Sequence, residues 1–171
     1  MQNEKEKPWF VLNIKAKQEA LAEQNLKKMG VEVYMPRYYR TVKKEKKKTQ
    51  VISPLFSGYL FARFDLVEYY HKVMYTRGVK SVLGNSTSIW FIENDKIEEI
   101  KKREQEGVVT LKKKNETFTK GDRVIIDEGS FDGWEGIFQE NLPDKERVTI
   151  LLTMGFNGKM TVSRDTLIKK K

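Results

Sequence analysis

The sequence predicts two small domains of different class, an α+β half followed by an all-β half. Three observations carry this. Up to about residue 104, apolar runs of strand length alternate with segments of helical period. Residues 105–117 are mostly polar, include Lys112-Lys113-Lys114, and interrupt both patterns. From Phe118 onward the helical period is gone, and short strands alternate with turn residues such as Pro143-Asp144 and Asn157-Gly158. The expected division is residues 8–104, a linker at 105–117, and residues 118–171.

Taken in order, Trp9 to Ile14 suits a buried strand. Ala16, Ala20, Leu21, Leu26 and Met29 fall on one helical face, and Gly30 stops that helix. Val31 to Tyr39 predicts a second strand. Arg40 to Gln50 has no apolar period and predicts an exposed loop or hairpin tip. Gly58 to Phe64 is an aromatic-rich strand, and Asp65 caps a helix to Met74. Val79 to Leu83 and Ser88 to Ile92 are further strands. Asn94 caps a helix running to about Glu104, with Ile97 and Ile100 facing inward. The first half is thus a mixed sheet with flanking helices. In the second half five short strands suit a small barrel, with Val124 and Ile126 on one face and Ile125 on the other. Gly129, Gly133 and Gly136 fall where corners need positive φ or a bulge, and Trp134 and Phe156 are its notable aromatics.

Composition narrows the function. The chain has 171 residues, 39% hydrophobic and 33% charged, with a formal net charge of +9 that favours a polyanionic partner. It has no cysteine, so disulfides, thiolate catalysis and cysteine zinc sites are excluded. No apolar run reaches the ~20 residues that cross a bilayer, and the polar N-terminus lacks a signal-peptide core. These features predict a soluble, cytoplasmic, monomeric protein. His71 is the single histidine and has no triad or zinc-ligand partners; there is no Walker loop and no GxGxxG. A non-enzyme without cofactor, metal site or catalytic residues is expected.

The charge is unevenly placed. Up to Glu104 the net is +8, whereas from Phe118 it is zero. Nucleic acid should therefore meet the first half. Arg40 and the run Lys43, Lys44, Lys46, Lys47 and Lys48 are the obvious anchor, each lysine able to neutralise a phosphate; a solvated loop is the alternative. Lys15, Lys17 and Gln18, at the start of the first helix, extend the surface.

Two stretches also resemble a known family. Gly121 to Ile126 followed by Phe131-Asp132-Gly133-Trp134-Glu135-Gly136 looks like the KOW motif of SH3-like barrels in transcription and ribosomal proteins. Pro54-Leu55-Phe56-Ser57-Gly58-Tyr59-Leu60-Phe61 is similar to the signature of the NusG/RfaH N-terminal (NGN) domain, with Ser57 in place of the usual proline. Trp9 fits that domain's Trp-aromatic start, and Val33-Tyr34-Met35-Pro36-Arg37 resembles a further segment. The resemblance implies an α+β NGN domain plus an all-β SH3-like KOW barrel. It also implies an apolar pocket, including Trp9, Phe56, Tyr59 and Phe61, that grips the clamp helices of RNA polymerase; alternation along the strand makes some of these core aromatics. Thr76-Arg77-Gly78-Val79 is close to the RfaH form, in which the arginine faces nucleic acid; a solvated charge is the alternative.

The implied function is a transcription elongation or antitermination factor that suppresses pausing or termination. The lysine run and the TRGV segment favour a specialised LoaP- or RfaH-type paralogue, recruited by an RNA hairpin or non-template DNA. The competing expectation is a KOW-containing RNA-binding protein of the ribosome or translation apparatus.

Overall fold

The computed structural model describes residues 7–44, 47–84, 88–111, 116–127, 131–142, 147–153 and 158–170, without the side chains of Thr41, Lys43 and Lys44. In chain order the elements are β1 (Trp9–Ile14), α1 (Glu19–Lys28), β2 (Glu32–Tyr34), β3 (Arg37–Lys44), β4 (Lys47–Pro54), β5 (Phe56–Ser57), β6 (Tyr59–Arg63), α2 (Leu66–Met74), β7 (Val79–Val82), β8 (Phe91–Ile92) and α3 (Asn94–Lys101). They continue as β9 (Glu104–Gln105), β10 (Val108–Val109), β11 (Arg123–Ile126), β12 (Glu135–Asn141), β13 (Arg147–Leu152), β14 (Lys159–Ser163) and β15 (Leu167–Lys169), with a 3-10 turn at Arg164–Thr166. By packing, the chain divides into a first unit, residues 1–35 and 58–95, and a second, residues 36–57 and 96–171. This division differs from the boundaries drawn on sequence, because β5 pairs with β14 and β10 packs near β3.

In the first unit β1 is central. It pairs with β6 on one edge, while β7 and β8 divide the other; β2 lies beyond β6. Strands β6 and β7, joined through α2, both run antiparallel to β1, which lies between them. Every pairing is therefore antiparallel, where a mixed sheet was expected. Phe10, Leu12, Ile14, Leu60 and Ala62 face Ala22 and Leu26 of α1 and Val73 of α2 in one buried core. Asp65 caps α2 as expected, its Oδ1 accepting from the Glu68 amide at 3.0 Å.

Two expectations for this region are corrected. Helix α1 starts at Glu19 rather than near Ala16, and Lys17 (φ 60°) turns the chain ahead of it. Val31 to Tyr39 is two strands, broken at Met35-Pro36, because proline lacks an amide donor and restricts the residue before it.

In the second unit six strands run in the order β15-β11-β12-β13-β14-β5, all antiparallel. Val124 and Ile126 are buried and Ile125 is not, so alternation along β11 is as expected. Gly133 has φ 83°, and a Cβ on Gly136 would lie 3.0 Å from the Leu151 carbonyl oxygen. Asp122 takes a Lys169 ammonium at 2.8 Å and the Thr119 amide at 2.8 Å. These bonds, Lys169 foremost, hold its carboxyl down at about 2 although it is solvated. Overlapping the start of 105–117, read as a linker, β9 and β10 form a hairpin turned by Glu106 (φ 53°) and Gly107 (φ 77°), with Val108 and Val109 buried. The expected features at Lys112-Lys113-Lys114, Gly129, Pro143-Asp144, Phe156 and Asn157 lie outside the described residues.

Candidate functional site

The first-unit sheet has a second face. Directly opposed residues of an antiparallel pair share a face, and the register opposes Trp9 to Arg63, Val11 to Phe61 and Asn13 to Tyr59. On the next strand Tyr34 opposes Phe61 and Glu32 opposes Arg63. Three of the four predicted pocket residues, Trp9, Tyr59 and Phe61, are thus gathered on the face away from α1 and α2. Tyr34 joins them, its ring centroid 6.3 Å from both Trp9 and Phe61. All three predicted residues are buried, and burial pushes the Tyr59 phenol up to about 12.

Trp9 is fixed by a polar clasp that the sequence reading did not include. The Arg63 guanidinium lies 4.6 Å over its ring and 3.4 Å from the Glu32 carboxylate. Asn94 Oδ1 accepts from Trp9 Nε1 at 3.2 Å and from Arg63 Nη2. Asn94 begins α3 as expected, but its side chain is turned to Trp9 and Arg63. Arg63, two residues after Phe61 on the same strand, is the residue that alternation would have found; nothing in the sequence points to this use of Asn94. Asn94→Ala leaves the buried Trp9 Nε1 and the half-buried Arg63 Nη2 without this acceptor, and should lower unfolding free energy by ~1–3 kcal/mol in urea denaturation.

Phe56 belongs to the second unit. It is 1% exposed, and its ring stands edge-on to Phe131 with centroids 4.5 Å apart; Phe131 is edge-on to Trp134 at 4.6 Å. All four predicted pocket aromatics are thus buried side chains.

The predicted basic residues form two groups. Lys15, Lys17 and Gln18 lie on the β1–α1 loop, which is joined to the Arg77 loop through the Lys15 amide donating to Gly78 O at 2.9 Å. Asn25 Nδ2 donates to Arg77 O at 3.1 Å. Gly78 (φ 101°) allows this approach, since a Cβ there would meet Ala22 at 3.0 Å. Lys15, Lys17 and Arg77 are exposed and Gln18 is half-buried.

The second group lies on the β3–β4 hairpin. The segment Arg40 to Gln50, expected as a loop or hairpin tip, is the distal part of a hairpin of two eight-residue strands, with Lys43 opposite Lys48 and Lys44 opposite Lys47. Lys47 and Lys48 are exposed, and Arg40 is half-buried with Nε donating to Ser53 Oγ at 3.3 Å. Lys46 lies outside the described residues. Among the described residues no group of three or more His, Cys, Asp or Glu side chains is placed to hold a metal. No helix among them is long and apolar enough to cross a membrane.

The family profile described as "Transcription termination factor nusG" matches residues 7–101, more than half of the chain. The chain belongs to the NusG family. NusG proteins are transcription factors, and the first unit has the small mixed α/β make-up of their N-terminal domain. Among solved structures the chain is similar to one described as "Domain interaction in Thermotoga maritima NusG", with 18% identity over 99% of this chain and 100% of that one and a TM-score of 0.44. It is also similar to an MjSpt4:Spt5 complex in conformation A, with 17% identity over 95% and 97% of the two chains and a TM-score of 0.29.

Proposed function

We propose that this NusG-family chain is an elongation and antitermination factor. It binds the clamp helices of RNA polymerase and suppresses pausing or termination, after recruitment by an RNA hairpin or non-template DNA. The observation that carries this reading is the gathering of Trp9, Tyr59 and Phe61 on one sheet face, within the residues matched to the family. An aromatic face of this kind supplies the anchors that dominate protein interfaces. Phe56 completes the polymerase-binding set in this reading.

Residues 8–104 act as the NGN domain, 105–117 as the linker and 118–171 as an SH3-like KOW barrel. Nucleic acid is held by Lys15, Lys17, Gln18 and Arg77 on the paired loops, and by Arg40, Lys43, Lys44, Lys46, Lys47 and Lys48 on the hairpin. The lysine-rich hairpin favours a specialised LoaP- or RfaH-type role. The protein works as a cytoplasmic monomer beside polymerase.

Affinity purification of the tagged full chain from its host tests this. Recovery of polymerase subunits, lost on treatment with competing clamp-helix peptide, is the expected result. Recovery of ribosomal particles without polymerase would overturn it in favour of a translation-associated RNA binder.

A further inference from the structure

Tyr39 and Ile52 are 53% and 54% exposed, and they are direct cross-strand partners on the β3–β4 hairpin. They therefore stand side by side on one face. Alternation places Arg37 and Lys48 on that same face, with Thr41 and Gln50 between them in the register. The other face carries Tyr38, which is buried. The hairpin thus has a packed side and an open side, and the apolar pair is on the open one.

A single exposed aromatic is ordinary protein surface. This one is set in a segment, residues 37–54, that has seven Lys and Arg and one acidic residue, Glu45. Its partner must therefore be polyanionic and must also offer flat apolar faces. Single-stranded nucleic acid meets both demands, since phosphates take the cations and unpaired bases stack on aromatic rings. A duplex presents the same phosphates but keeps its base faces inside the stack, leaving Tyr39 and Ile52 nothing to cover.

We propose that the open face of the β3–β4 hairpin binds single-stranded nucleic acid, with Tyr39 stacked on a base, Ile52 packed beside it, and Lys48 on a flanking phosphate. This rests on the nucleic-acid reading above and adds to it the strandedness of the ligand and the mode of recognition. Stacking is tolerant of base identity, so this face supplies grip on an open strand, leaving sequence discrimination to other residues.

The test is fluorescence anisotropy with the full-length protein, using fluorescein-labelled oligothymidylate and a duplex of matched length over a range of salt. Tyr39→Ala should weaken single-strand binding roughly 5- to 150-fold, with duplex binding and the salt slope unchanged. Tyr39→Phe should keep the affinity. Lys48→Ala should make the salt slope shallower on both probes. Tyr39 is exposed, so its variants should melt with the wild type. Undiminished single-strand binding by Tyr39→Ala, or an equal loss on both probes, overturns the stacking assignment alone. Failure of the wild-type protein to bind either probe overturns the underlying nucleic-acid reading as well.

Discussion

Phe56→Ala should lower the unfolding free energy of the second unit by ~3–5 kcal/mol, the usual cost of truncating a fully packed phenylalanine. The ring is 1% exposed and sits edge-on to Phe131 at 4.5 Å. Strand β5 is only Phe56 and Ser57, paired to Val162 and Thr161 of β14. So short a pairing contributes little by itself, and the segment is held chiefly by the buried ring. Phe131→Ala should cost a similar amount. The double variant should cost less than the sum, by the ~0.5–1.5 kcal/mol that an aromatic pair contributes beyond its buried area. Urea denaturation of the four proteins measures this. A loss below ~1 kcal/mol for Phe56→Ala, the range of surface substitutions, would mean that β5 does not pack on this sheet in solution. The result also bears on polymerase binding, because Phe56→Ala removes the packed ring together with any contact it makes to a partner. Binding by Phe56→Ala must therefore be compared at equal folded fraction, with Phe56→Leu as the variant that keeps most of the apolar volume.

Much of the first unit was legible because its signals are local. The apolar run Trp9 to Ile14 and the Asp65 cap stand in the structure where residue type alone put them, and the aromatic-rich strand expected at Gly58 to Phe64 is β6, Tyr59–Arg63. Alternation by itself says only that some of the pocket aromatics are core residues, and the register puts Tyr59 and Phe61 on one face. What was missed depends on partners distant in sequence or on weak local pattern. Lysine-rich strands β3 and β4 carry no apolar period, so the sequence predicts a loop or a hairpin tip over Arg40 to Gln50 and does not show the length of the hairpin. The β9–β10 hairpin consists of two-residue strands turned by a glutamate at positive φ, a residue with no preference for that region. The seat of Phe56 needs Phe131 and Val162, neither of which marks itself in the sequence as a partner of residue 56. The clasp around Trp9 needs Asn94, whose only local signal was that of a helix cap.

Replacing Lys43, Lys44, Lys46, Lys47 and Lys48 together with serine should weaken binding to any nucleic acid and make it less sensitive to salt. Each phosphate left without its lysine should reduce the slope of log affinity against log salt by ~0.7–0.9, so the full set removes up to ~3.5–4.5. The hairpin register gives this variant a second signature. Lys43 is opposite Lys48 and Lys44 opposite Lys47, and like charges placed directly across two strands destabilise the pairing. A polyanion laid along the hairpin relieves that repulsion, whereas an unbound hairpin retains it. The serine variant should therefore melt no lower than the wild type while binding far less well. Added oligonucleotide should raise the melting temperature of the wild type but not that of the variant. Loss of binding together with a lower melting temperature would assign the lysines to stability. Unchanged binding with an unchanged salt slope would remove the hairpin from the interface. In that case Lys120 and Arg123, exposed in the second unit, become the better anchors despite the zero net charge of residues 118–171.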